Sequence, residues 1–192
     1  MREIKPEILS AENSLDITHW TTLVEKSSAP DVYYLPEYAR ATAEIEQTEP
    51  IALIAGQAST RMLAPLLLRR MSATLHGSAI DWVDASTPYG YGGLLNLSAS
   101  DLVLPEQFRY FVDQLSTWCL DRHVVCCVLR LHPLIEQQDW VQPKDVWQNH
   151  LQLHSRGTTT SVELAQWNEK LDQPAGLRRD RRADMRLPGF DS

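Results

Sequence analysis

Asp81-Trp82-Val83-Asp84-Ala85-Ser86-Thr87-Pro88-Tyr89-Gly90-Tyr91-Gly92-Gly93 is the stretch around which the rest of the chain can be read. Three glycines and a proline fall between Pro88 and Gly93. Glycine admits φ > 0 and close backbone approach, and proline pre-sets one turn dihedral. Tyr89 and Tyr91 add rings and hydroxyls that donate or accept. Apolar segments flank the turn on both sides, which is the pattern of a loop held on strands, where binding groups concentrate. An ordinary aromatic-rich turn has the same composition, because short glycine motifs are weak evidence.

Reading outward on the N-terminal side, Ser78 to Val83 is expected as a strand leading into this loop. Before it, Ile51-Ala52-Leu53-Ile54-Ala55 and the run Arg61 to Arg70 are expected to form an antiparallel hairpin about a turn at 56–60. Pro65 inside the second run suggests an edge strand or a bulge. Further back, Leu15 to Glu25 has near-helical apolar spacing with Ser14 as N-cap, and Glu37 to Glu46 is a second helix with Pro36 in its first turn. Ile4 to Leu9 is a short first strand.

On the C-terminal side, Gly93 to Leu97 continues the strand pattern. From Pro105, residues Phe108, Phe111, Val112, Leu115, Trp118 and Cys119 recur at steps of three and four, the signature of an amphipathic helix that ends near Asp121-Arg122-His123. Val124 to Leu131 is the most strand-like run in the chain. Beyond it, a short helix over Leu134 to Val141, strands over Val146 to Leu153 and Thr158 to Leu164, and a last helix around Trp167 and Leu171 are expected. Helices and strands alternate, but at least one strand pair is joined by a tight turn. The fold class is therefore α/β (α+β): a mixed, largely antiparallel sheet flanked by helices.

The totals fit that reading. The 192 residues make one domain or one and a half, and 43% hydrophobic with 22% charged residues is ordinary globular composition. No apolar run reaches the ~18 residues of a membrane span. The N-terminal Met1-Arg2-Glu3-Ile4-Lys5-Pro6-Glu7 lacks the apolar core of a signal peptide, so a cytoplasmic location is expected. A net charge of −7 argues against a general nucleic-acid binder. The three cysteines, Cys119, Cys126 and Cys127, fit reduced thiols better than a disulfide framework. Their spacing, even with His123, matches no familiar zinc pattern, so no metal is expected. Adjacent Cys126 and Cys127 on a strand would face opposite ways.

In this order and context, Asp31-Val32-Tyr33-Tyr34, Ala64-Pro65-Leu66-Leu67-Leu68-Arg69, Asp84 to Gly93, and Leu129-Arg130-Leu131-His132-Pro133-Leu134 resemble the first half of FemABX-like transferases, within the GNAT acyltransferase superfamily. Arg156-Gly157-Thr158-Thr159 and Leu177-Arg178-Arg179-Asp180-Arg181-Arg182 resemble the same family, so the likeness runs from about Asp31 to about Arg186. It implies a GNAT-like domain over 1–176 and a basic tail over 177–192 that starts a truncated second half. It also implies transfer of an acyl or aminoacyl group, from acyl-CoA or aminoacyl-tRNA, onto a small-molecule amine, in some members a nucleotide-linked muramyl peptide. The family's second half usually carries the donor site, and no Arg/Gln-x-x-Gly-x-Gly/Ala pyrophosphate turn is found here, so no cofactor is expected in this half. A second GNAT-like half or a homodimer would complete the cleft. The alternative is a non-catalytic module that binds an acceptor or docks a partner.

Acylating an amine needs a neutral amine, a way to remove its proton and donors for the oxyanion. Neither a Gly-x-Ser-x-Gly elbow nor a P-loop motif is present, which argues against a serine hydrolase and a P-loop nucleotide hydrolase. Tyr91, His132 and Asp84 are the candidate catalytic residues, with His132 as general base and Tyr91 as proton donor. Tyr89, Gly90, Gly92 and Arg130 are candidates for substrate binding, and Arg178 and Arg182 for a phosphate or a tRNA backbone. Each has an ordinary structural alternative: tyrosines packed at the edge of a core, Arg130 in a structural ion pair, His132 as a turn residue, Asp84 as a strand-end acid, and the arginines on a solvated helix face.

Overall fold

The computed structural model describes residues 5–57, 60–75, 78–98, 103–133, 140, 152 and 154. The chain divides into two compact units, Met1–His154 and Ser155–Ser192, and every described residue belongs to the first. The boundary expected at 176/177 and the segments expected beyond Leu134 fall outside the described residues, apart from isolated positions.

The order of elements is β1 (Glu7–Ser10), α1 (Ser14–Glu25), a 3₁₀ turn (Val32–Tyr34), α2 (Pro36–Glu46), β2 (Glu49–Ala55), β3 (Met62–Leu75), β4 (Ser78–Ser86), β5 (Leu95–Asn96), α3 (Pro105–Asp121) and β6 (Val124–Val128). They form one six-stranded sheet in the order β1-β2-β3-β4-β6, with β5 beside β3. All pairings are antiparallel except β4 with β6, which is parallel. The molecule thus has the expected class: a mixed, mostly antiparallel sheet with helices on it. The expected hairpin is β2–β3, with Ile54 opposite Leu63 and Ala52 opposite Pro65.

Both sheet faces are covered, so the central strands read as continuous apolar runs instead of alternating ones. Ile51, Leu53, Ala55, Met62, Ala64, Leu66, Leu68 and Ala85 face α3, whose Phe108, Phe111, Val112, Leu115 and Trp118 complete that core. Ala52, Ile54, Leu63 and Leu95 face the other way and pack with Trp20 and Val24 of α1, Tyr34 of the 3₁₀ turn and Ala39 of α2. The period-2 alternation of a strand assigns neighbouring residues to opposite cores.

The structure corrects or refines four local expectations. The N-cap of α1 is Asn13, whose Oδ1 accepts from the amides of Leu15 (2.9 Å) and Asp16 (3.2 Å); Ser14 is the first helical residue. Pro65 lies in β3, which is interior to the sheet as a whole, but at a local edge and not at a bulge. There β3 changes its second neighbour: Met62 and Leu63 pair with β5, and pairing with β4 begins at Leu67. Among the described residues, 64–66 have no strand partner on that side, so a missing N–H at Pro65 breaks no ladder bond there. The strand expected over Val124 to Leu131 ends at Val128, because Thr87 takes over the hydrogen bonding beyond it. The pattern at 93–97 gives only the two-residue β5.

The helix expected from Pro105 is present as α3, with Gln107 Oε1 accepting from the Leu104 amide at 3.0 Å. His123, in the left-handed region at φ 55°, turns the chain from α3 into β6. β6 carries one extra residue against β4: Val83 pairs with Val124, but Asp84 pairs with Cys126. Cys126 is exposed while Cys127 packs on the α3 core, as residues of opposite parity should. A hydrogen bond with Cys119, and then burial, push the Cys127 thiol up, which keeps it protonated. No helix among the described residues is long and apolar enough to cross a membrane.

Candidate functional site

Because β4 and β6 run parallel, the chain leaves both at the same end of the sheet. The ends of parallel strands are where open α/β sheets bind ligands. Here the two exits carry the Pro88–Gly93 turn and the Arg130-Leu131-His132 segment. Thr87 joins them. Its amide donates to the Val128 carbonyl at 2.9 Å, its hydroxyl oxygen accepts from the Arg130 amide at 2.9 Å, and its carbonyl accepts from the Arg130 guanidinium. Thr87 is fully buried, so all three groups have partners where water could not supply them.

The 3₁₀ turn before α2 forms the third wall. Asp31 caps it, with Oδ1 accepting from the Tyr33 amide at 3.1 Å. Tyr34 is completely buried; its hydroxyl donates to the Leu94 carbonyl at 3.4 Å and its carbonyl accepts from Trp20 Nε1 at 2.8 Å. From α2, the Tyr38 hydroxyl donates to the Tyr89 carbonyl at 2.9 Å. Burial, with Tyr33 and Tyr89 close by, raises the Tyr38 pKa and keeps it a donor. Gly90 has φ 91°, and a Cβ there would lie 2.5 Å from Cε1 of Tyr33. At Gly92 the nearest atoms to a Cβ would be Pro88 Cδ at 3.3 Å and the Tyr33 carbonyl oxygen at 3.4 Å. Gly90 therefore makes room for the Tyr33 ring, whereas Gly92 is only moderately constrained.

His132 sits at the meeting point of these walls and is only 4% exposed. Its ring is stacked on Tyr34 (centroids 6.3 Å, 27°) and meets Tyr33 (6.1 Å) and Tyr91 (5.7 Å) at steep angles. Tyr33 also contacts Tyr91 and Tyr38 edge-on, at 5.6 and 5.1 Å. His132 Nε2 lies 3.7 Å from Asp31 Oδ2. Burial lowers the imidazole pKa below its ordinary value, and the Asp31 carboxylate pushes it partly back. The ring is thus held neutral at physiological pH, the state in which it can take up a proton.

The structure therefore brings Tyr91, His132, Gly90, Gly92 and Arg130 to one end of the sheet. Tyr89 is at the same turn, but its ring points outward, 74% exposed. Asp84 is held elsewhere: it faces Arg69 across the β3–β4 ladder and accepts two hydrogen bonds from Nε, at 3.1 and 3.2 Å, and a third from Nη2. Arg178 and Arg182 lie outside the described residues. Asp31, Tyr33, Tyr34, Tyr38 and Thr87 are site residues that the individual side chains gave no reason to select. The available signal was local: Asp31 stands two residues before Tyr33 and five before Pro36, where an acid can cap a turn. Among the described residues no group of three His, Cys, Asp or Glu side chains could hold a metal ion. Comparison of the chain with protein-family models, curated proteins and solved structures finds no match.

Proposed function

We propose that this protein is a GNAT-type N-acyltransferase related to the first half of FemABX-like enzymes, with the acceptor amine received at Tyr91 and His132. The observation that carries the reading is the parallel β4–β6 pair, whose two exits set Tyr91 beside a neutral, buried His132. The mixed sheet with helices on it is also the architecture that the resemblance implies. In the proposed reaction the amine approaches at the outer side of Tyr91 and Tyr33, which are only partly buried. His132 takes its proton as general base, and Tyr91 protonates the departing group. Arg130 helps hold the substrate. The donor is an acyl-CoA or an aminoacyl-tRNA. The acceptor is a small-molecule primary amine, of which a nucleotide-linked muramyl peptide is one example, and the reaction belongs in the cytoplasm. A second GNAT-like half, or a second copy, completes the donor side.

The second reading is a docking module that catalyses nothing alone. It is favoured by the outward ring of Tyr89 and by Val125 and Val128 of β6, which are 53% and 45% exposed. Incubating the folded chain with acetyl-CoA or aminoacyl-tRNA and a panel of primary amines, followed by mass spectrometry, separates the two. An acylated amine that forms only with protein present is the expected result. A folded, monodisperse chain that yields none with either donor supports the docking module instead.

A further inference from the structure

We propose that Asp31 is the positioning residue for His132, its carboxylate orienting the imidazole and balancing the charge that forms when the ring accepts a proton. The geometry divides the work between the two oxygens of Asp31. Oδ1 is fixed by the Tyr33 amide, so the carboxylate has little rotational freedom. Oδ2 is thereby aimed at His132 Nε2, at 3.7 Å. That distance is too long for a hydrogen bond and short enough for a strong charge interaction beside a buried ring. Among the described neighbours, Tyr33 and Tyr34 from the 3₁₀ turn and Tyr91 from the glycine turn hold the ring plane, and Arg130 on His132's own segment is cationic. Asp31 is also only partly exposed, so solvent screens it less than a surface acid.

The catalytic half of this inference rests on the acyltransferase reading. There, the amine forms its new bond to the acyl carbon and gives one proton to His132. The imidazolium is stabilised beside Asp31. The acyl carbon's bond to sulfur or to the tRNA oxygen breaks with its electron pair, Tyr91 gives its proton to that leaving group, and the proton held by His132 restores the Tyr91 hydroxyl, directly or through water.

The test is a pH titration of the His132 ring signals by NMR in the whole chain, comparing wild type with Asp31→Asn. Asn retains the oxygen that accepts from Tyr33 and removes the charge. The expected result is a His132 midpoint about one pH unit lower in the variant. The sign for stability follows: a ring whose folded pKa is below the unfolded one loses stabilisation as pH falls through that interval. Asp31→Asn deepens that loss. An unchanged midpoint overturns the proposal. Asp31→Ser, which keeps a capping oxygen, provides the same reading if the Asn variant folds poorly. Asp121→Asn, at the exposed end of α3, is expected to leave the midpoint where it is; an equal drop there would assign the effect to net charge and overturn the proposal. Because the titration needs no turnover, absence of acyl transfer would reject the enzymatic reading without touching this one. If turnover is present, the acid limb of the kcat/KM profile is expected to move with the midpoint.

Discussion

Trp20→Ala is expected to remove about 3–5 kcal/mol of folding stability, the usual cost of truncating a fully buried tryptophan. Trp20 has no exposed surface and packs among Val24, Tyr34, Leu63 and Leu95 between α1 and the sheet. Its indole also supplies the donor for the Tyr34 carbonyl, which would be left buried without it. For a domain of ordinary stability, 5–15 kcal/mol, that is a large fraction of the total. Urea denaturation would show it as a lower midpoint at unchanged slope. The loss should extend to the site, since Tyr34 is the surface on which His132 stacks. A loss below about 1 kcal/mol would mean that this second core is not well packed.

Gly90→Ala is expected to cost about 2–6 kcal/mol, from two sources that add. A φ of 91° strains any residue with a Cβ, by about 1–3 kcal/mol. The new methyl would also meet the Tyr33 ring at 2.5 Å, and Tyr33 is enclosed by Tyr38, Tyr91 and His132. Overpacking of this kind costs about 1–3 kcal/mol. Gly92→Ala is the internal comparison. It has no positive φ and a nearest contact of 3.3 Å, so its cost should stay near 1 kcal/mol or less. Denaturant midpoints of the two variants give the difference, and near-ultraviolet circular dichroism should report the displaced tyrosines in Gly90→Ala. Equal costs at the two positions would contradict the packing described for Tyr33.

How much of this could be read from residues alone depends on the range of the interaction that decides each feature. α3 was legible because Phe108, Phe111, Val112, Leu115 and Trp118 mark one helical face without outside help. The β2–β3 hairpin was legible because two apolar runs flank a short turn. Pro65 was legible as an edge residue, but that its edge is a gap between β5 and β4 was not, since both lie distant in sequence. The end of β6 was misplaced because Leu129 and Leu131 pack on the core from a non-strand segment, and apolarity does not distinguish the two. At the site, Tyr91 and His132 stood out by their motifs. Their meeting depends on the parallel pairing of β4 and β6, and the partnership with Asp31 spans about a hundred residues, beyond any periodicity. That Asp84 is paired with Arg69 follows from the β3–β4 register, which its own neighbours in sequence do not reveal.

The rate of amine acylation by wild type and His132→Gln, followed across pH, tests the central claim most directly. Glutamine approximates the size of the ring and cannot act as a base. The account predicts a wild-type kcat/KM that rises through a pKa below that of an ordinary imidazole and levels off by neutral pH. It predicts a loss of about 100-fold or more in the variant, with that acid limb gone. A His132→Gln protein that folds, acylates at the wild-type rate and keeps the same pH profile would contradict it.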